Sequence, residues 1–488
     1  MTRFNHSLTL ALLFVPVAAC TDDTGENLPN GGFTTGEDSD DPTTADPTTN
    51  NPATSNNPAT TNNPSTTTES SSTGDPTTDS DTTTGDPTTD SDTTTGDPTT
   101  DSDDTTTTDP TDPTGSEETT DDPTDPTGMT ECGNDEIEAN EICFADGGTV
   151  ATGAGATDVA AGDFDGDGNF DVIVTSATGT NVSVHLGDGA GALAAGLTTA
   201  VGNNPQRVVA GELSGDTSWD AIVANTDDDT VSVLIADGAG GFTETVVAVG
   251  DQPVGLSLGD LDDANGLDFA VANAGSVDYH TALNDGAGTF TTQGPWAPAG
   301  NVDAMAGIVL GSVAVGGTTD AFYGGGGFYA ATNGNGDGTM NFDVSQGGNA
   351  GNTLGRMDGG DINGDGDLDV VAADGPLARV YLGQGGDANA GFQNDTFGPF
   401  GTTVSEALLA DVTGEGDDDI IAVDRDNAVV VVISGNGDAT FNEGDAQTFD
   451  VGATPEGVAV ADLDGDGVSD IVVVSSGGAD LTILLSNP

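Results

Sequence analysis

The chain has no lysine, and its five arginines are the only permanent cations set against 83 acidic residues, giving a formal net charge of −78 over 488 residues. A field of that sign repels phosphate backbones and anionic lipid, which excludes nucleic acid as a partner and any polybasic membrane contact. Histidine is nearly absent as well. Beyond the first twenty residues it occurs only as His185 and His280, far apart, with no local Ser-His or Cys-His pairing and no lysine nucleophile, so we read the chain as non-enzymatic. Cysteine is limited to Cys20, Cys132 and Cys143, and aromatic residues make up 5%. No apolar run is long enough to span a bilayer as a helix.

Four segments differ in kind. Residues 1–20 carry Arg3, an apolar stretch from Leu8 to Ala19 and small residues before Cys20, the layout of an export signal. Val17-Ala18-Ala19-Cys20 resembles a bacterial lipobox, which implies lipidation at Cys20 and an outer-membrane or cell-surface lipoprotein. An ordinary signal peptide and a secreted protein is the alternative. Residues 21–130 are Thr, Asp, Pro, Ser and Asn, with GDPTTDSDTTT starting at Gly74 and again at Gly85. This segment has little to bury and is expected to be a disordered tether, with an r.m.s. reach of about 55–60 Å. Residues 131–146 contain CGNDEIEANEIC, which resembles a short cysteine motif found beside stalks in bacterial surface proteins. With Cys20 acylated, Cys132 and Cys143 remain as a disulfide pair.

From 147 to 488 short Val, Ile, Leu and Ala runs alternate with Gly- and Asp-rich punctuation, and no helical period appears, so the segment reads as all-β. Nine-residue loops begin at Asp163, Glu212, Asp260, Ser312, Asp361, Asp411 and Asp462, at intervals of 48–52 residues. A glycine stands ten residues before the anchor in six of the seven units, Val302 being the exception. Each unit holds four strands, the signature of a seven-bladed β-propeller. The seventh unit ends after its third strand, so residues around Gly148 to Gly153 are expected to complete it and close the ring.

In the first loop, DFDGDGNFD, the side chains of Asp163, Asp165, Asp167 and Asp171 occupy positions 1, 3, 5 and 9, and Asn169 offers a carbonyl at position 7. Hard oxygens at this spacing suit Ca2+, and glycines at positions 4 and 6 let the chain curl around an ion. This DxDGDGxxD loop, repeated every ~50 residues, resembles the FG-GAP/VCBS repeat family, which includes the integrin α-subunit propeller and some fungal propeller lectins. The resemblance implies calcium between the first and second strands of a blade. By the same resemblance, further sites comprise Asp361, Asn363, Asp365, Asp367 and Asp369; Asp411, Thr413, Glu415, Asp417 and Asp419; and Asp462, Asp464, Asp466, Val468 and Asp470. The loops at Glu212 and Asp260 are left open, the fourth has lost nearly every ligand, and three to four ions are expected.

Family members use loops on one face to hold proteins or sugars, so the resemblance implies an extracellular binding or adhesion module for a surface protein or glycan. A structural surface scaffold, or less readily a polysaccharide-active enzyme, is the alternative. Units 3 and 4 concentrate aromatic residues, and Tyr279, Trp296, Tyr323, Phe328 and Tyr329 are candidates for a ligand patch. Core filling is the competing role.

Overall fold

The computed structural model describes residues 142–298, 304–312, 317–349, 352–383 and 392–487. Its strands form seven four-stranded antiparallel sheets. Six follow chain order, from blade 1 (Ala156–Gly162, Asp171–Ser176, Asn181–His185, Leu197–Ala200) to blade 6 (Val404–Ala410, Asp419–Asp424, Val429–Ile433, Gln447–Asp450). Blade 7 takes Pro455–Ala461, Asp470–Ser475 and Asp480–Ser486, and its outer strand is Phe144–Ala151 from the other end of the propeller. That strand pairs from Phe144 opposite Ser486 to Ala151 opposite Asp480, with a bulge between Asp146 and Gly148. Closure by the N-terminal segment is as expected, with the strand centred a few residues earlier. The expected boundary at 147 falls inside it, and the Asn487 N–H donates to the Cys143 carbonyl at 3.0 Å.

The core is divided among the blade interfaces. One apolar cluster lies between each neighbouring pair, including blades 7 and 1, where Val159, Val172 and Val174 pack against Leu463, Val472 and Ile483. The remaining interfaces follow around the ring. The second strand of a blade is buried on both faces: Asp220–Asn225, Asp369–Asp374 and Asp419–Asp424 are buried along their whole length. This explains their run of Val, Ile and Ala, where a half-exposed strand would alternate. Outer strands such as Phe242–Ala248 are mostly exposed and carry Thr and Glu. Fully burying each Val, Leu or Ile contributes about 1.5–3 kcal/mol, and closing the ring covers the two blade faces that an open array would leave exposed.

Inner strands line the axis and run into the nine-residue loops. Loop position 2 turns inward as a buried apolar side chain: Phe164, Leu213, Leu261, Ile362, Val412 and Leu463 are all less than 5% exposed. The loop is therefore anchored in the core at its second residue.

Candidate metal loops and the axial charge network

In blade 1 the loop is wound around its first carboxylate. Asp163 Oδ1 accepts the N–H groups of Gly166 and Asp167 at 2.8 and 3.1 Å, and Oδ2 accepts that of Gly168 at 3.0 Å. Asp165 Oδ1 accepts from Asp167 N–H, and Asp167 Oδ1 from Asn169 N–H. Gly166 and Gly168 have φ of +73° and +93°, so the glycines at positions 4 and 6 perform the curl. Blade 7 repeats the pattern with Asp462 on Gly465 and Gly467, Asp464 on Asp466, and Asp466 on Val468. In blade 5 Asp361 holds Asp365 and Gly366, while Asn363 and Asp365 make the inner turns. Asp411 holds Gly414 and Gly416 in blade 6.

The aspartate at position 9 also has a structural task. Asp171 is buried; its Oδ2 accepts the Phe164 N–H at 2.9 Å and its Oδ1 the Gly187 N–H at 2.8 Å, tying the loop to the end of the blade's third strand. Asp220, Asp268, Asp369, Asp419 and Asp470 make the same pair of bonds, including in blades 2 and 3, whose loops depart from the DxDGDG pattern. In blade 4 Asp320 Oδ1 accepts from Gly334 N–H at 2.9 Å. Burial pushes the Asp171 carboxyl up to about 6, against the two backbone donors, and the charges of Asp165 and Asp163 add to the rise. Asp369 and Asp419 are pushed to about 7 for the same first reason. Cationic neutralisation would relieve that crowding.

Carboxylate oxygens come within 4.8 Å of one another in three loops: Asp163, Asp165 and Asp171; Asp260, Asp262 and Asp268; and Asp462, Asp464 and Asp466. All are hard oxygens on a tight loop, a donor set that fits calcium. Among the described residues, the loops at Asp361 and Asp411 do not gather three carboxylates that closely. The loop at Asp260 does, with φ of +57° at Asp263 and +63° at Asn265 doing the work of the missing glycines. Asn and Asp tolerate that region better than other side chains, a signal the sequence carried.

The expected aromatic patch is corrected. Tyr279, Tyr323 and Tyr329 are buried, with Tyr279 and Tyr323 rings 5.0 Å apart between blades 3 and 4. Tyr279 Oη shares a hydrogen bond with Thr332 Oγ1, and Trp296 Nε1 donates to Thr281 Oγ1 at 3.1 Å. Trp296 and Phe328 are half-buried against the same cluster. The rings are drawn inward because Ala270, Ala272, Ala321 and Ala330 face them, leaving volume that only large side chains fill. His185 is likewise satisfied, by Ala194 O and Ser183 Oγ. Cys143 is held in a disulfide; its expected partner Cys132, the lipidation candidate Cys20 and the tether lie outside the described residues.

A charged plug across the axis went unnoticed in the sequence. Arg207 Nη1 lies 3.1 Å from Asp158 Oδ1 and 2.6 Å from Glu406 Oε1; Arg356 Nη1 lies 3.0 Å from Asp158 Oδ1 and 3.4 Å from Glu406 Oε2. Arg356 also donates to the carbonyls of Glu456 and Thr157. The four side chains come from blades 1, 2, 5 and 6. Each stands five residues before its loop, where blades 3, 4 and 7 have Gly255, Gly307 and Gly457. Those glycines make the room: a Cβ on Gly457 would meet Asp158 Oδ1 at 2.9 Å and Arg356 Nη1 at 3.1 Å. In-register comparison of the units would have shown this ring.

With this geometry in hand, comparison with known proteins is informative about the repeats. The family model described as FG-GAP-like repeat matches residues 361–422 and 411–473. The chain is a seven-bladed β-propeller with FG-GAP-like repeats. No curated protein matches it significantly. Among solved structures, it is similar to an Agrocybe aegerita lectin described as recognising non-reducing terminal N-acetylglucosamine (18% identity, 66% of this chain and 86% of that one, TM-score 0.45). It is also similar to BBS1N, solved in complex with ARL6DN (11%, 70% and 97%, TM-score 0.49), and to a protein from Lactobacillus plantarum (13%, 61% and 86%, TM-score 0.46).

Proposed function

We propose that this propeller is exported, tethered to the bacterial surface through Cys20 and the 21–130 segment, stabilised by calcium, and acts as a binding module for a surface protein or glycan. The reading rests chiefly on the convergence of three carboxylates in each of three loops. Calcium, when bound, supplies positive charge and a rigid oxygen-coordination centre. Asp163, Asp165 and Asp171 in blade 1, Asp260, Asp262 and Asp268 in blade 3, and Asp462, Asp464 and Asp466 in blade 7 would hold it, and backbone N–H groups already fix these carboxylates in place. The loops at Asp361 and Asp411 would bind more weakly. Export and tethering are supported by the signal-like first twenty residues and the lysine-free, acid-rich composition.

Metal analysis of dialysed protein, with melting in calcium and in EDTA, tests the ion; a melt unmoved by EDTA in verified metal-free protein would overturn that part. A glycan array and cell-binding assay with calcium test the module. Discrete glycan hits indicate a lectin, and cell or protein capture an adhesin. Neither outcome would leave a surface scaffold and overturn the binding role.

A further inference from the structure

The inner strands enclose an axial cavity of about 470 Å3, a size that suits a small ligand. The Arg207, Asp158 and Glu406 group forms one end. Val209, Val309 and Leu408 give apolar walls, and Ser257 and Asp358 are the polar side chains at the same level, three residues before their loops. Toward the loops the cavity is bordered by Phe170 and Trp219, whose rings meet edge to face at 6.1 Å, and by Asp260 and Asp361.

The charges around this cavity do not balance. On the inner strands three carboxylates, Asp158, Glu406 and Asp358, meet two guanidiniums, both paired with Asp158 and Glu406, and Asp260, Asp361 and Asp367 add further negative charge to the lining. Among the described residues no cation lies within ion-pair distance of Asp358, whose Oδ2 accepts the Leu409 N–H at 3.1 Å. Asp358 is half-buried and feels Arg207 only from beyond ion-pair distance, so its charge is incompletely compensated and a cation placed beside it would complete the pairing. Ser257 accepts the Leu310 N–H at 3.0 Å and donates its own hydroxyl to the Leu258 carbonyl at 3.5 Å, which fixes its oxygen at the wall as a further acceptor.

We propose that the axial cavity binds a small organic cation, with a protonated amine against Asp358 and an apolar body between Val209, Val309 and Leu408. An anion would meet the excess negative charge. A calcium ion needs six to eight oxygens, more than one carboxylate and one hydroxyl supply. The acidic border attracts cations, and the faces of Trp219 and Phe170 give them a favourable surface on entry. Desolvation pushes the Asp358 carboxyl up to about 6, with Glu406 adding to the rise and the backbone N–H groups of Leu409 and Gly359 and the Arg207 guanidinium opposing it.

The test is calorimetric titration of the full chain, saturated with calcium, using hexylammonium and the equal-sized neutral hexan-1-ol. Hexylammonium is expected to bind about tenfold or more tightly than the alcohol, the scale of one charge-assisted contact. Asp358→Asn should abolish that preference while leaving the alcohol unchanged. Leu408→Phe, which fills the shaft, should weaken both, and circular dichroism checks that each variant is folded. Equal binding of the two compounds, no binding of either at millimolar concentration, or a preference that survives Asp358→Asn would each overturn the proposal. Failure here leaves the calcium and partner reading untouched, since the loops are saturated throughout.

Discussion

Arg356 and Asp158 stand 198 residues apart in the chain and 3.0 Å apart across the propeller axis, blade 5 bonded to blade 1. Such a contact depends on the whole ring being closed. Glu406, also buried, is held below the usual carboxylate range because the Arg207 and Arg356 guanidiniums outweigh its desolvation. Replacing Arg356 with Met removes one of two cations from this group and leaves buried carboxylates under-compensated. The expected loss is about 3–5 kcal/mol in urea unfolding. Retention of wild-type stability would show the plug to be dispensable.

Asp358 gives a pH signature. Its folded value of about 6 lies above the ordinary 3.8, mainly through burial, so the folded state holds the proton more tightly than the unfolded state. Its contribution is therefore fully present below about pH 4 and is lost as pH rises through 6. At roughly 1.4 kcal/mol per unit this approaches 3 kcal/mol. The stability of Asp358→Asn relative to wild type should improve by up to that amount between pH 4 and 7, measured by denaturant unfolding.

Loop positions 3 and 9 should respond differently to calcium. Asp165→Ala removes a half-buried turn acceptor, so in EDTA it should cost about 1 kcal/mol while weakening calcium binding to blade 1. Asp171→Ala leaves the N–H groups of Phe164 and Gly187 without their acceptor, and should cost about 2–5 kcal/mol with or without calcium. Thermal melts of both variants in calcium and in EDTA separate the two roles.

Gly187 tests the close approach behind Asp171. A Cβ there would lie 2.1 Å from the Phe170 carbonyl oxygen. Gly187→Val is expected to cost at least about 2 kcal/mol in urea unfolding through backbone displacement.

Tyr323 distinguishes core filling from ligand contact. It is fully buried against Tyr279, so Tyr323→Ala should lower stability by about 3–5 kcal/mol. Any partner affinity measured well below the melting temperature should be unchanged.

The sequence by itself determined the blade count, the strand content and the position of each loop. Seven anchors at nearly constant spacing have few solutions that bury every strand face, and a seventh unit lacking its outer strand already required Phe144–Ala151 or a neighbour of it. The Asp and Gly positions of the loop were equally legible, because local turns are set by residues close in sequence. Tertiary structure alone decided which side chains meet across blades. Tyr279 and Tyr323 read as candidates for a surface patch until the alanines opposite them made their pocket internal. Asp171 read as an ion ligand, and only the approach of Gly187 showed it bracing the blade whether or not an ion is held. Arg207 and Arg356 meet Asp158 and Glu406 because closure brings one level of four separate strands to a common axis, a proximity that no local pattern encodes.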